Sequence, residues 1–152
     1  MWLVIVTLCL VHLYSISRGP RWLLYLSKPL PAALLAVMVF LNPSSQFAGY
    51  SFYICLGLSI SVIGDIFLML PKDKFRAGLL SFLIAQFVFG YAFLLKIESY
   101  QPLWLPIVLG CIGLIVYLLL LPSIGKDKWY VGLYFVSILF MASNATVAWL
   151  NT

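Results

Sequence analysis

Charged residues are scarce in this sequence, and acidic residues are the scarcest. Its 152 residues include four Asp and Glu and nine Lys and Arg, so that 9% are charged while 64% are hydrophobic. Soluble domains carry about 25% charged and about 45–50% apolar residues. The composition therefore excludes a water-soluble globular domain, because most of the surface would have no polar side chains with which to face water.

Cysteine and histidine are also rare, which bears on metal and redox chemistry. The three cysteines, Cys9, Cys55 and Cys111, are widely spaced and lie inside apolar runs. That spacing indicates neither a zinc site nor a redox pair, and we expect no metal and no cofactor. The single histidine, His12, has no second ligand near it in the sequence, and we interpret it as a packed side chain.

Long apolar runs, in contrast, make up most of the chain. Six of them fall near residues 2–16, 22–41, 50–70, 76–95, 103–121 and 129–149. Most approach the ~20 residues that a helix needs to cross a bilayer, where backbone polar groups must be satisfied within the element. We predict an all-α, polytopic transmembrane helix bundle of about six spans, forming one domain over residues 1–152.

The first two apolar runs differ from the other four. The first has no basic leader and no small-residue cleavage site, so we interpret it as a retained helix and not as a signal peptide. The second is interrupted by Lys28-Pro29-Leu30-Pro31. Either this helix kinks there, or residues 22–26 lie along the membrane interface and the helix begins near Pro29.

The basic residues predict the orientation. Of the nine basic residues, Lys96 lies in the fourth loop. The other eight lie in the first, third and fifth loops: Arg18, Arg21, Lys28, Lys72, Lys74, Arg76, Lys126 and Lys128. Since cytoplasmic loops are rich in Lys and Arg, the N-terminus is predicted outside, and the short loops favour a bacterial inner membrane. These charges form no basic stripe, so we expect membrane lipids, and not nucleic acid, as partners.

Asp65 is the polar residue that lipid tolerates least. It lies about four residues from the end of the third run, where an unpaired carboxylate costs several kcal/mol. Gly57, Ser61, Gly64 and Asp65 share one helical face, and small residues allow another helix to approach. Lys28 is predicted at a similar depth and is the natural partner. The alternative is that Lys28 snorkels to the interface while Asp65 caps the nearby loop.

Gln86 is the second buried polar candidate, in the middle of the fourth run. It shares a face with four phenylalanines, Phe75, Phe82, Phe89 and Phe93. A single Gln in such a place is typical of an interhelical hydrogen bond that holds a bundle together. Contact with a substrate is the alternative interpretation.

These residues resemble a known family. The resemblance extends over almost the whole chain and rests on the following residues: Ser27-Lys28-Pro29-Leu30, Gly57-Leu58, Ser61, Gly64-Asp65-Ile66-Phe67-Leu68-Met69-Leu70-Pro71, Phe75, Gly78, Phe82 and Ala85. This pattern is similar to that of the YhhN family, which includes the eukaryotic lysoplasmalogenases. The most specific element is Gly-Asp-x-x-Leu-Met-x-Pro followed by Phe-x-x-Gly.

The resemblance implies a membrane hydrolase of lipid metabolism that cleaves the vinyl ether bond of lysoplasmalogens, with a lysophospholipid as substrate. Asp65 and Lys28 match the motif and are predicted to be catalytic, whereas Gln86, Ser61 and Gly64 are predicted to bind the substrate. Proton delivery by a carboxyl group suits this chemistry. Lys28 would hold that group in register or contact the lipid phosphate.

The sequence departs from the family pattern in two places. Family members commonly have His-x-x-Tyr where this chain has Gln86 and Phe89, so a proton relay through that pair is absent. The family also commonly has about eight helices, and the chain as given resembles it without the last two. These departures favour an alternative, a non-catalytic membrane protein that binds lipid or scaffolds a partner. A small proton-coupled transporter is the third hypothesis, which the lack of visible repeats disfavours.

Overall fold

The structure is a computed structural model, and it describes residues 2–18, 21–42, 48–70, 74–98 and 104–151. These residues form helices and no strands, which confirms the all-α prediction. The helices are α1 (Trp2–Arg18), α2 (Arg21–Ser27), α3 (Leu30–Leu41), α4 (Ala48–Met69), α5 (Phe75–Leu94), α6 (Trp104–Ile124) and α7 (Lys128–Leu150).

Each predicted apolar run corresponds to helix, with one difference in the second run. There the chain forms two helices, α2 and α3, with Lys28 and Pro29 in a turn between them. Pro29 has no N–H to continue α2, and proline disfavours helical geometry at the residue before it. Pro31 is tolerated because it lies in the first turn of α3, where no intrahelical N–H bond is lost.

Three continuous helical stretches of the described residues are long and apolar enough to cross a membrane: Gly49–Met69, Phe75–Leu94 and Trp104–Leu150. The third contains α6, a 3₁₀ turn at Gly125–Asp127 and α7. Gly125 has φ +62°, a left-handed conformation that reverses the chain. Two shorter apolar stretches precede them, Leu3–Ile16 within α1 and Tyr25–Leu41 across α2, the turn and α3. The total of about six spans stays a prediction.

The helices pack in a row. Going across the molecule, α3 contacts α4, α4 contacts α5, α5 contacts α7, and α7 contacts α6, while α1 packs beside α2 and α3. Glycines set the close approach of α4 and α5: a Cβ at Gly57 would overlap the Phe89 ring, and one at Gly78 would lie 2.7 Å from Leu68. Small residues at such contacts are what lipid-embedded helices use to approach one another.

Candidate functional site

The last turns of α4 place two neighbouring residues against different partners. Gly64 faces α5, since a Cβ there would lie 3.0 Å from the Phe82 ring. Asp65 is the next residue, and consecutive helical residues point about 100° apart. Its side chain is therefore directed away from α5, toward the turn between α2 and α3, and is 14% exposed. The face predicted from spacing is thus divided, with its glycines at α5 and its carboxylate elsewhere.

Lys28 is the partner of Asp65. The Lys28 Nζ lies 3.7 Å from the Asp65 Oδ1, and the two side chains are 29% and 14% exposed. The break in helix geometry at Pro29 is what brings Lys28 here, because it turns the chain at the depth where α4 is about to end. Of the two alternatives for these residues, the structure contains the ion pair. The catalytic role of each residue stays a prediction.

The first helix adds a group to this pair that the sequence did not single out. His12 Nδ1 lies 2.9 Å from Ser27 Oγ, the residue directly before Lys28. Ser15 Oγ donates to the His12 carbonyl over 2.7 Å and lies 3.4 Å from Ser27 Oγ. Because Ser27 directly precedes Lys28, its bond to His12 connects the imidazole to the Lys28–Asp65 pair. These five residues are called the polar cluster below.

The side chains of the polar cluster are buried to different degrees. Ser15 and Ser27 are 3% and 2% exposed. His12 and Lys28 are only partly buried. The interpretation of His12 as a packed side chain stays a prediction, and the structure adds its hydrogen bond to Ser27. The available sequence signal was its spacing, because His12 and Ser15 lie three residues apart on one face of an otherwise apolar helix.

The three predicted substrate-binding residues lie at different distances from the polar cluster. Ser61 lies one turn before Asp65 on α4 and is partly buried. Gly64 serves the contact with α5 described above. Gln86 hydrogen-bonds Tyr134 of α7, which is the interhelical bond expected of it. Within the described residues, its Oε1 is buried and has no hydrogen-bond partner. Substrate binding by these three residues stays a prediction.

The polar cluster combines a carboxyl group, an ammonium group and an imidazole near one end of the helices. A carboxyl group and an imidazole can each act as a general acid or a general base. An ammonium group can contact a phosphate as a point charge. In the described part of the chain, no group of three or more His, Cys, Asp or Glu residues is placed to hold a metal ion. The chemistry available here is proton transfer beside an anion contact.

Comparison with known proteins gives consistent results. The model of the YhhN family matches residues 23–152. Proteins named uncharacterized membrane protein YhhN, from Escherichia coli O6:H1 and from Shigella flexneri, are each 24% identical over 149 residues, which cover 95% of this chain and 70% of theirs. A Dictyostelium discoideum protein named lysoplasmalogenase homolog is 30% identical over 113 residues, covering 61% of this chain and 36% of that protein. No solved structure gives a significant match.

Proposed function

The chain belongs to the YhhN family of integral membrane proteins, and from this we propose that it is a lysoplasmalogenase-like hydrolase. The reaction is cleavage of the vinyl ether bond of a lysoplasmalogen, which gives a fatty aldehyde and a glycerophospho-alcohol. The observation that carries the proposal is the Lys28–Asp65 pair, a carboxyl group and a cation held together near the end of a membrane helix. The name of the Dictyostelium relative supports the same reaction.

The reaction needs a proton on carbon before water can add. In the proposed mechanism, the protonated Asp65 carboxyl donates to the vinyl carbon that is not bonded to oxygen. The other vinyl carbon becomes an oxocarbenium centre, and water adds to it to form a hemiacetal after loss of one proton. The hemiacetal then breaks its carbon–oxygen bond to the glycerol moiety, releasing the aldehyde and the alcohol. One water molecule is consumed, and Asp65 ends the cycle protonated once more.

Lys28 has two tasks in this mechanism, and its position suits both. After Asp65 has donated its proton, the Lys28 ammonium group offsets the carboxylate charge, which would otherwise be costly at this depth. When a lysophospholipid enters, the same group can contact the phosphate, because Lys28 is the more exposed of the two partners. This places the phosphate at the interface and directs the vinyl ether toward Asp65.

We propose that the protein resides in a bacterial inner membrane with its N-terminus outside. The polar cluster then lies near the cytoplasmic surface, because Asp65 is close to the end of α4 that leads into the lysine-rich third loop. A lysophospholipid in the inner leaflet would reach this depth with its phosphate at the interface and its chain in the bilayer.

The test is aldehyde release from a lysoplasmalogen by purified protein in detergent or nanodiscs, with the Asp65→Asn variant alongside. Loss of a general acid lowers turnover by about 10²–10⁴-fold. Asp127→Asn is the matched control, since Asp127 pairs with Arg76 in a more exposed ion pair. Aldehyde from wild type and control but not from Asp65→Asn supports the proposal. A well-folded wild type that releases no aldehyde refutes it.

A non-catalytic lipid-binding or scaffolding protein is the second candidate, and one contact favours it. The Phe89 ring packs tightly against Gly57, so this position serves the α4–α5 interface and supplies no hydroxyl. A non-catalytic protein predicts saturable lysophospholipid binding without product, and unchanged binding on Asp65→Asn. Binding measured by scintillation proximity with a labelled lysophospholipid separates this function from the hydrolase.

A further inference from the structure

We propose that His12 is the general base of the site, the group that takes the proton from the attacking water while Asp65 supplies the proton to carbon. This inference rests on the proposed hydrolase function and assigns a second catalytic residue to it. His12 lies in α1, which precedes the region matched by the family model.

The His12 ring is held at one nitrogen and leaves the other for chemistry. Its Nδ1 shares a hydrogen bond of 2.9 Å with the hydroxyl of Ser27, which is 2% exposed and so is fixed in place. Ser15 Oγ reinforces this arrangement at 3.4 Å from Ser27 Oγ. A base whose second polar atom is fixed by a neighbour keeps one orientation, as catalytic histidines require. In the tautomer whose Nδ1–H donates to Ser27 Oγ, Nε2 is the nitrogen that can accept a proton from water.

Few other groups near His12 can move a proton. The Lys28–Asp65 ion pair is linked to His12 through Ser27, which hydrogen-bonds His12 and directly precedes Lys28. Helix α1 packs against α2 and α3; α3 has no titratable residue, and Tyr25 of α2 is exposed. Lys28 is paired with Asp65 and is a cation, so it cannot accept a proton. With Asp65 supplying the proton to carbon, His12 is the group of the polar cluster left to accept one, and its ring is only partly buried.

The proximity of His12 to Asp65 also closes the catalytic cycle. Asp65 is left as a carboxylate after it protonates the vinyl carbon, and His12 becomes an imidazolium when it takes a proton from water. Transfer of the proton from the imidazolium to the carboxylate then restores both groups. The balance is one water consumed per vinyl ether cleaved, with no external acid or base.

The main experiment compares turnover of wild type with that of His12→Gln and Ser27→Ala. The Gln amide can still bond Ser27 but cannot titrate, so kcat should fall about 10²–10³-fold while KM stays within about twofold. Ser27→Ala keeps the base but frees its ring, and kcat should fall only about two- to tenfold. A merely structural histidine predicts the opposite result, normal kcat per folded molecule with a lowered thermal midpoint.

A second measurement uses the unmutated chain, so it does not depend on whether the variants fold. The sequence has one histidine, and diethyl pyrocarbonate should abolish aldehyde release in proportion to histidine modified, with recovery on hydroxylamine. Full modification with unchanged turnover overturns the role of His12 and leaves the hydrolase intact, as does a His12→Gln variant with wild-type kcat. A folded wild type without aldehyde release overturns the hydrolase and, with it, the role of His12.

Discussion

Two ion pairs among the described residues, Lys28–Asp65 and Arg76–Asp127, differ in both distance and burial. If distance governs the strength of an ion pair, the second is the stronger, and if burial governs it, the first is. Arg76 Nε and Asp127 Oδ1 are closer, at 2.9 Å, but those side chains are 62% and 29% exposed. Lys28 and Asp65 are separated by 3.7 Å and are 29% and 14% exposed. Two unit charges at that longer distance attract by about 1 kcal/mol in water and about 4.5 kcal/mol at an effective dielectric constant of ~20.

We expect burial, and not distance, to determine which of the two ion pairs is stronger. The coupling free energy of Lys28 with Asp65 should be about 2–3 kcal/mol, between those limits, because Lys28 retains some contact with solvent. The exposed pair should give about 0.2–1 kcal/mol. Each single substitution at the buried pair should cost more than the double substitution, since it leaves one charge without its partner.

The assay is a double-mutant cycle on the free energy of unfolding, measured by titrating detergent micelles with sodium dodecyl sulfate. The buried cycle uses Lys28→Met and Asp65→Asn, and the exposed cycle uses Arg76→Gln and Asp127→Asn. Raising the salt concentration should weaken the exposed coupling more than the buried one. A coupling below about 0.5 kcal/mol for Lys28 and Asp65, or a larger one for the exposed pair, would refute the reasoning.

Two further predictions concern packing and topology. Gly57→Ala should lower the free energy of unfolding by about 1–3 kcal/mol, because the added Cβ overlaps the Phe89 ring. Gly110→Ala is the control, since a Cβ there meets nothing within 4 Å, and it should be neutral or slightly stabilising. A destabilising control would show that the loss is not one of packing. In a background without the native cysteines, Lys126→Cys should react with a membrane-impermeant maleimide only in inverted vesicles and Glu98→Cys only in intact cells. The reverse pattern would contradict the proposed orientation.

The Lys28–Asp65 pair illustrates how far sequence reasoning extends into the site. Asp65 stands out because a carboxylate within an apolar helix needs a partner, and Lys28 is the cation expected at the same depth. Whether the two residues meet depends on the turn at Pro29, which sequence alone left with two interpretations. Only the packed helices show a separation of 3.7 Å.

The sequence by itself determined that this protein is helical and belongs in a membrane, because the bilayer admits so few ways to satisfy the backbone of long apolar runs. It also singled out Asp65, because the free-energy cost of placing a carboxylate in lipid can be inferred from the apolar residues around it in the sequence. Only the tertiary structure decided that His12 joins the site and that Gly64 and Asp65 face different neighbours. The physical reason is that periodicity assigns a residue to a face of its own helix, whereas the order in which helices pack decides what that face meets.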